Sequence, residues 1–66
     1  MITVNGKPRP EAPGALVDLL AEEGVQPGAR GIAVALNGEV VPRSAWEATA
    51  LNPGDRVEIV KVLQGG

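Results

Sequence analysis

Glycine and proline divide this chain into short segments, and this punctuation constrains its fold more than any other feature. Nine glycines and six prolines occur among only 66 residues. Both residue types weaken the interior of helices and strands, so no regular element can be long. A chain of this length also forms only one small core. The sequence therefore predicts a single domain of short elements joined by tight turns.

One segment, Ala15 to Glu23, has the spacing of an amphipathic helix. Leu16, Leu19 and Leu20 fall at positions i, i+3 and i+4, which places three leucines on one face. Gly24 supplies the residue type that ends many helices in a left-handed conformation. The preceding Ala12-Pro13-Gly14 offers no serine, threonine or aspartate that could cap the first turn.

Two Asn-Gly dipeptides each follow an apolar strand pattern. The residue series Ile2–Val4 precedes Asn5-Gly6, and Ile32–Leu36 precedes Asn37-Gly38. Asn-Gly is the preferred sequence for a type I′ hairpin turn, because both central residues need a positive φ. Each pair should therefore begin a hairpin. The returning strands are expected near Lys7–Glu11, at a sheet edge because Pro8 and Pro10 cannot donate hydrogen bonds, and at Glu39–Val41.

The rest of the chain supplies a short connection and a last strand. Arg43 to Ala50 is expected to form a turn or short helix carrying Trp46, and Pro53-Gly54 has the order of a type II turn. A final strand is expected over Arg56–Leu63. The order of hairpin, helix, hairpin and strand predicts a two-layer α+β domain, in which one helix covers one face of the sheet. The other face would be open to solvent.

Composition excludes several classes of function. The chain has no cysteine and no histidine, which removes disulfides, thiolate chemistry, the commonest general base and the commonest transition-metal ligand. The only serine, Ser44, therefore has no histidine partner. A net charge of −2 argues against nucleic-acid binding, which requires a basic surface. The longest apolar run, Ile32 to Leu36, is too short for a membrane span, and no signal peptide is visible, so the expected location is the cytoplasm.

Individual side chains suggest structural roles rather than sites. Trp46, the only aromatic residue, is interpreted as a core residue rather than a ligand platform. Asp55 is interpreted as a turn residue rather than a cation ligand. Arg43 and Arg56 could hold an anion, but isolated surface arginines usually have no special role.

The chain ends in Gly65-Gly66, and two interpretations of this end are open. The first is a frayed tail without function. The second is a reactive arm, because a C-terminal carboxylate is ionised at pH 7 and can attack an activated phosphate. Glycine has no Cβ, so such an arm could pass through a narrow channel.

Taken in order, these segments resemble the ubiquitin-like β-grasp sulfur carriers, most closely the ThiS family of thiamine biosynthesis. Ala15 departs from the family, which often has threonine at the start of the helix. The matching stretches cover nearly the whole chain: Ile2-Thr3-Val4-Asn5-Gly6, the Leu19-Leu20 helix, Val34-Ala35-Leu36-Asn37-Gly38, Val40-Val41-Pro42-Arg43 with Trp46, Gly54-Asp55-Arg56-Val57-Glu58-Ile59, and Gly65-Gly66.

The resemblance implies a fold and a chemistry. The fold is an α+β ubiquitin-like β-grasp, with a mixed sheet of four to five strands and one helix on one face, formed by residues 1–63. Residues 64–66 would be a flexible reactive tail. A ThiF-like adenylyltransferase holding ATP and Mg²⁺ would adenylate the Gly66 carboxylate, and a sulfur donor would convert it to a thiocarboxylate. A ThiG-like thiazole synthase would accept the sulfur, so the chain itself would be a co-substrate that binds no cofactor rather than an enzyme.

The resemblance also assigns the two faces of the sheet. Strand parity turns Ala33 and Ala35 away from the helix together with Val60 and Val62. With Leu63 and Gln64, these residues are the expected partner-binding surface beside the tail, although scattered exposed apolar residues are also ordinary. The expected core is Ile2, Val4, Leu16, Leu19, Leu20, Val34, Leu36, Val41, Leu51, Val57 and Ile59.

Three other functions are compatible with parts of this pattern. A carrier of the molybdopterin synthase small-subunit type would use the same terminus with a different acceptor. A ubiquitin-like modifier would join Gly66 to lysines. An interaction module that binds RNA should be basic, and this chain is not.

Overall fold

The computed structural model describes residues 1–26, 28 and 30–61. These residues form a two-layer α+β domain. Its elements in chain order are β1 (Ile2–Val4), β2 (Lys7–Arg9), α1 (Leu16–Glu22), β3 (Ile32–Leu36), β4 (Glu39–Val41), a 3₁₀ helix (Arg43–Ala48) and β5 (Arg56–Lys61).

Both Asn-Gly dipeptides form the predicted hairpin turns. The φ angles are 52° and 83° at Asn5 and Gly6, and 53° and 87° at Asn37 and Gly38. Asparagine and glycine tolerate this left-handed region better than other residues, which explains why the chain reverses at these points. The third predicted turn is also present: Gly54 has a φ of 89°, and the Asp55 N–H donates to the Asn52 carbonyl over 3.1 Å.

The five strands form one mixed sheet in the order β2-β1-β5-β3-β4. β5 is central. It runs parallel to β1, while the other neighbouring pairs are antiparallel. β2 lies at an edge, as Pro8 predicts. Arg9 on this strand pairs with Glu22 and Glu23 at the end of α1.

Helix α1 begins without a side-chain cap, as the sequence predicts. The segment after the 3₁₀ helix supplies the missing contacts. The Leu16 N–H donates to the Thr49 carbonyl at 3.1 Å, and the Leu51 N–H donates to the Gly14 carbonyl at 2.9 Å. These bonds satisfy an N–H that would otherwise lack an acceptor at the helix start.

The end of α1 is a Schellman motif. The Gly24 N–H donates to the Ala21 carbonyl at 3.1 Å, and the Val25 N–H donates to the Leu20 carbonyl at 2.8 Å. Gly24 has the positive φ of 85° that this motif requires. The residue after the glycine usually packs back onto the last turn of the helix. This geometry explains why Val25 is buried, although the expected core omitted it.

Nine of the eleven expected core residues are buried, and two expectations are wrong. Leu36 and Val41 are only half-buried and pack against the rim of the core. Both lie toward the β4 edge of the sheet. A seven-residue helix is about 10 Å long, whereas five strands span about 19 Å, so α1 cannot cover both edges. Trp46 is buried, which confirms its interpretation as a core residue.

Candidate functional site: the open face of β5 and its supports

The open face of the sheet carries the expected docking residues that the structure describes. Ala33 on β3 lies opposite Val60 on β5, and Ala35 lies opposite Glu58. Val60 is 55% exposed and Ala33 is also exposed, whereas Ala35 is half-buried. The burial pattern of β5 alternates, so these residues face away from α1 as predicted from strand parity.

Glu58 and Val40 extend this face, and the expected site did not include them. Val40 lies opposite Ala35 on the edge strand β4 and is 75% exposed. Glu58 on β5 lies opposite Ala35 on β3, and it is exposed. The alternation of β5 could have identified Glu58, because it has the same parity as Val60. The open face therefore combines these apolar residues with two charged residues of β5, Glu58 beside them and Arg56 toward β1.

The remaining candidate residues belong to the C-terminal segment. Val62, Leu63, Gln64, Gly65 and Gly66 lie outside the described residues. Their roles as docking or reacting residues stay predictions, as does the domain boundary at residue 63.

Two asparagine side chains support β5 at different points. The Asn5 Nδ2 donates to the Ile59 carbonyl at 3.2 Å, and its Oδ1 accepts from the Ile59 N–H at 2.8 Å. The Asn37 Oδ1 accepts from the Arg56 N–H at 2.9 Å, and its Nδ2 donates to Asp55 at 3.0 Å. The sequence predicted the turns that contain these asparagines, but not these long-range bonds.

Asp55 is held in its charged form by this network. The Asn37 amide and the Asn52 N–H donate to its two carboxylate oxygens. These hydrogen bonds, that of Asn37 first, hold the pKa of Asp55 below its ordinary value of 3.8, although slight burial opposes them. Asp55 therefore acts as a turn residue, which agrees with its interpretation from the sequence.

A cavity of about 560 Å³ opens on the helix side, between α1 and the 3₁₀ helix. Arg43 and Ser44 contribute to its wall, and Val17 and Leu20 contribute apolar surface. The Arg43 guanidinium carbon lies 5.2 Å from the centre of the Trp46 ring, a cation–π arrangement. The Trp46 Nε1–H also donates to the Val41 carbonyl at 2.9 Å. Arg43 therefore has a contact with the tryptophan ring, on the wall of this cavity.

Two further properties concern the part of the chain that the structure describes. Within it, no three aspartate, glutamate, histidine or cysteine side chains are grouped so as to hold a metal ion. No helix among residues 1–26, 28 and 30–61 has the length and apolar character needed to cross a bilayer.

Comparison with known sequences gives one consistent family. The ThiS family model matches residues 2–66. The sulfur carrier protein ThiS of Thermus thermophilus is 39% identical over 66 residues, and the match covers all of both chains. A thiazole synthase of Paramagnetospirillum magneticum is also 39% identical over 66 residues. That match covers 98% of this chain but 20% of the synthase, so the chain spans about a fifth of this relative.

Solved structures agree with the sequence comparison. The crystal structure of the thiamine biosynthesis protein ThiS from Geobacter metallireducens superposes with a TM-score of 0.74 at 38% identity, covering 98% of this chain and 97% of that one. The solution structure of a thiamine biosynthesis protein from the same organism gives a TM-score of 0.76 at 38% identity, with 98% and 86% covered. The five-stranded mixed sheet with one helix is their ubiquitin-like β-grasp fold. The chain belongs to the ThiS family, the sulfur carriers of thiamine biosynthesis.

Proposed function

We propose that this chain carries sulfur for thiazole formation in thiamine biosynthesis as a thiocarboxylate on Gly66. The observation that carries the proposal is the family match, which extends over residues 2–66 and so includes Gly65-Gly66. The 66 residues contain no cysteine, so none of their side chains can hold the sulfur as a persulfide. An activated carboxyl carbon can hold it instead.

The chemistry proceeds in two substitutions. An oxygen of the ionised Gly66 carboxylate attacks the α-phosphorus of ATP, forming an acyl-adenylate while pyrophosphate leaves. Hydrosulfide (HS⁻), supplied by a sulfur donor protein, then attacks the carbonyl carbon, AMP leaves, and loss of the remaining S–H proton gives the thiocarboxylate. ATP and Mg²⁺ are held by a ThiF-like adenylyltransferase, so the chain is a co-substrate of that enzyme.

Gly65 serves this chemistry by its lack of a side chain. An adenylyltransferase must bring the carboxylate to a buried phosphate through a passage narrow enough to exclude water. A residue without a Cβ accepts any backbone conformation in such a passage and leaves room for its walls. A β-branched residue at position 65 should therefore slow adenylation.

The open face of the sheet, around Val60 on β5, is the proposed docking surface. Val60 precedes Gly66 by six residues on the strand that leads to it, and it is 55% exposed beside Ala33. A partner that binds the apolar surface around Val60 would bury it from water while it holds the C-terminal tail. Ala35 completes the described part of the surface. Val62, Leu63 and Gln64 lie outside the described residues and are included in the proposed surface only from the sequence.

A ThiG-like thiazole synthase is the proposed acceptor of the sulfur. The 39% identity between this chain and part of a thiazole synthase supports a close relation between carrier and synthase. The donor of sulfur and the adenylyltransferase are proposed from the chemistry alone. We place the reaction in the cytoplasm, where ATP is available.

The terminus is tested by extending it. One alanine added after Gly66 moves the carboxylate outward by about 3.3 to 3.6 Å. Reacting atoms must lie within about 3 to 3.5 Å of each other, so the extended chain should not be adenylated. Each chain is incubated with a ThiF-like adenylyltransferase, ATP, Mg²⁺ and sulfide, and its intact mass is measured. The unextended chain should gain the mass difference between sulfur and oxygen.

The matched control carries the same alanine before Met1, where the carboxylate is unaffected. This control should react like the unextended chain, and all three should melt at the same temperature. Conversion of the C-terminally extended chain at the normal rate would contradict the proposal. Lysine adducts of Gly66 in place of a thiocarboxylate would instead indicate a protein modifier.

The docking surface is tested by a charge. Val60→Asp should raise the KM for adenylation by about tenfold or more, because an unpaired charge in an apolar interface is costly. Val40→Asp makes the same change on the same face but two strands away, and its effect should be smaller. Circular dichroism checks that both variants fold. Equal kinetics for Val60→Asp and the unchanged chain would remove Val60 from the surface.

A further inference from the structure

Strand β5 is supported unequally along its two edges. On one edge it pairs with β3 from Val57 to Lys61. On the other edge, β1 pairs only with Arg56 and Val57, because β1 ends at the Asn5-Gly6 turn. The part of β5 that leads toward the terminus would therefore have backbone support from β3 alone.

The Asn5 side chain continues the ladder past the end of β1. Its backbone N–H makes the last main-chain bond, to the Val57 carbonyl at 2.9 Å. Its amide then reaches two residues further, donating to the Ile59 carbonyl and accepting from the Ile59 N–H at 3.2 and 2.8 Å. A side-chain amide has the same donor and acceptor pair as a peptide group, so it can replace one residue of a strand.

We propose that Asn5 is a positioning residue for the sulfur-carrier reaction. By holding Ile59 from the β1 side, it fixes the end of β5 and thus the direction in which the residues leading to Gly66 leave the sheet. Ile59 precedes Gly66 by seven residues, and its side chain belongs to the core. This inference rests on the proposed function of Gly66.

The expected consequence is on binding rather than on the chemical step. Without the amide, the end of β5 has a wider range of conformations, and only some of them direct the tail into the partner. The apparent affinity for the partner is then reduced in proportion to the fraction of molecules whose tail has a binding-competent direction. Once the tail is bound, the carboxylate reaches the same place, so the rate of adenylation is preserved.

The second Asn-Gly turn provides a matched control. Asn37 has nearly the same φ as Asn5, and it also bonds to β5. It holds the Arg56 N–H at the start of the strand, ten residues before Gly66. Glycine adopts a positive φ readily, so Asn5→Gly and Asn37→Gly each remove one amide without straining the turn.

The experiment measures adenylation of both variants by a ThiF-like enzyme. Asn5→Gly should raise KM by about three- to tenfold, with kcat within about twofold of the unchanged chain. Asn37→Gly should leave both constants unchanged. Equal KM values for the two variants, or a loss confined to kcat, would overturn the proposal.

Amide hydrogen exchange gives a second measurement that does not depend on the enzyme. The Ile59 backbone groups point to Asn5, so those of Val60 point to β3, where Val60 lies opposite Ala33. Asn5→Gly does not remove this contact. In each variant, the exchange rate of the Val60 amide is divided by that of the Val57 amide. We expect this ratio to be about three- to tenfold higher in Asn5→Gly than in Asn37→Gly. Unchanged Val60 exchange would overturn the positioning role. If the unchanged chain is not adenylated, the proposed function fails, and exchange alone decides whether Asn5 holds the end of β5.

Discussion

The helix-covered face and the open face of the sheet are formed by alternate residues of the same strands. On β5, Val57 is 1% exposed and packs under α1, whereas Val60, three residues later, is 55% exposed on the other side. On β3, Val34 is buried and its neighbour Ala33 is exposed. Residues of similar chemistry are thus buried in the core on one face and exposed on the other. Position along the strand, rather than residue type, decides which role a valine has.

The largest expected effect comes from weakening the covered face. Leu19 on α1 is completely buried against the sheet. Leu19→Ala should lower the free energy of unfolding by about 2 to 5 kcal/mol, because it removes apolar contacts and leaves a cavity. Urea denaturation measures this loss.

Leu19→Met is the control for this substitution. It keeps the volume of the side chain and should cost less than about 1.5 kcal/mol. If Leu19→Ala unfolds at the same urea concentration as the unchanged chain, the covered face does not hold the domain together.

The two faces are compared directly by one substitution at two positions of β5. Val57→Ala should cost roughly 1.5 to 3 kcal/mol, since it removes buried methyl groups. Val60→Ala should change stability by no more than about 0.5 kcal/mol, because its side chain is exposed. Thermal unfolding of both variants gives the difference. Similar losses at both positions would mean that the open face also contributes to the core.

Trp46 closes the covered face at the side that α1 does not reach. It is buried, and its Nε1–H donates to the Val41 carbonyl at 2.9 Å. Trp46→Phe keeps an aromatic ring but leaves that carbonyl without this donor. The expected loss is about 1 to 2 kcal/mol in urea denaturation. Arg43→Ala removes only the cation over the ring and should cost less, about 0.5 to 1 kcal/mol.

The sequence predicts the local elements well because their signals are local. A positive φ at two adjacent residues strongly favours Asn-Gly, so both hairpin turns could be placed to the residue, whereas β2 ends at Arg9, before the expected Glu11. The leucine spacing of α1 and the alternation of Ile2 and Val4 identify their buried faces in the same way. The turn at Pro53-Gly54 follows from the fixed φ of proline and the tolerance of glycine for a positive φ.

Burial at the margins of the core could not be predicted by alternation. Leu36 and Val41 have the correct parity for the covered face, but the short helix leaves them half-exposed. Val25 has no strand or helix pattern, and its burial follows from the Schellman motif at Gly24. Burial here depends on where α1 ends over the sheet, which is a property of the whole fold.

The candidate site shows the same limit. Parity predicts that Ala33 and Val60 share a face, and the structure confirms it. The bonds from Asn5 to Ile59 join residues 54 positions apart, and no local pattern in the sequence indicates them. An asparagine required for a turn gives no sign that its side chain also supports a distant strand.

The last expected effect is small and concerns the turn before β5, which belongs to neither face. The pKa of Asp55 is below its ordinary value of 3.8, because its charged form accepts hydrogen bonds from Asn37 and from the Asn52 N–H. A depressed pKa in the folded state means that the unfolded chain binds the proton more readily. The carboxylate therefore stabilises the fold above pH 3.8, and this contribution is lost as the pH falls through the lower, folded-state pKa.

Asp55→Asn can satisfy only one of the two donors, because Asn37 and Asn52 donate to different carboxylate oxygens and the amide replaces one of these with an NH₂ group. It should lower stability at pH 7 by no more than about 1 kcal/mol, because the carboxylate is partly exposed and screened by solvent. Its loss of stability between about pH 5 and pH 2.5 should be shallower than that of the unchanged chain. Thermal melts across this pH range measure both slopes, and parallel curves for Asp55→Asn and the unchanged chain would show that the turn network does not favour the charged form.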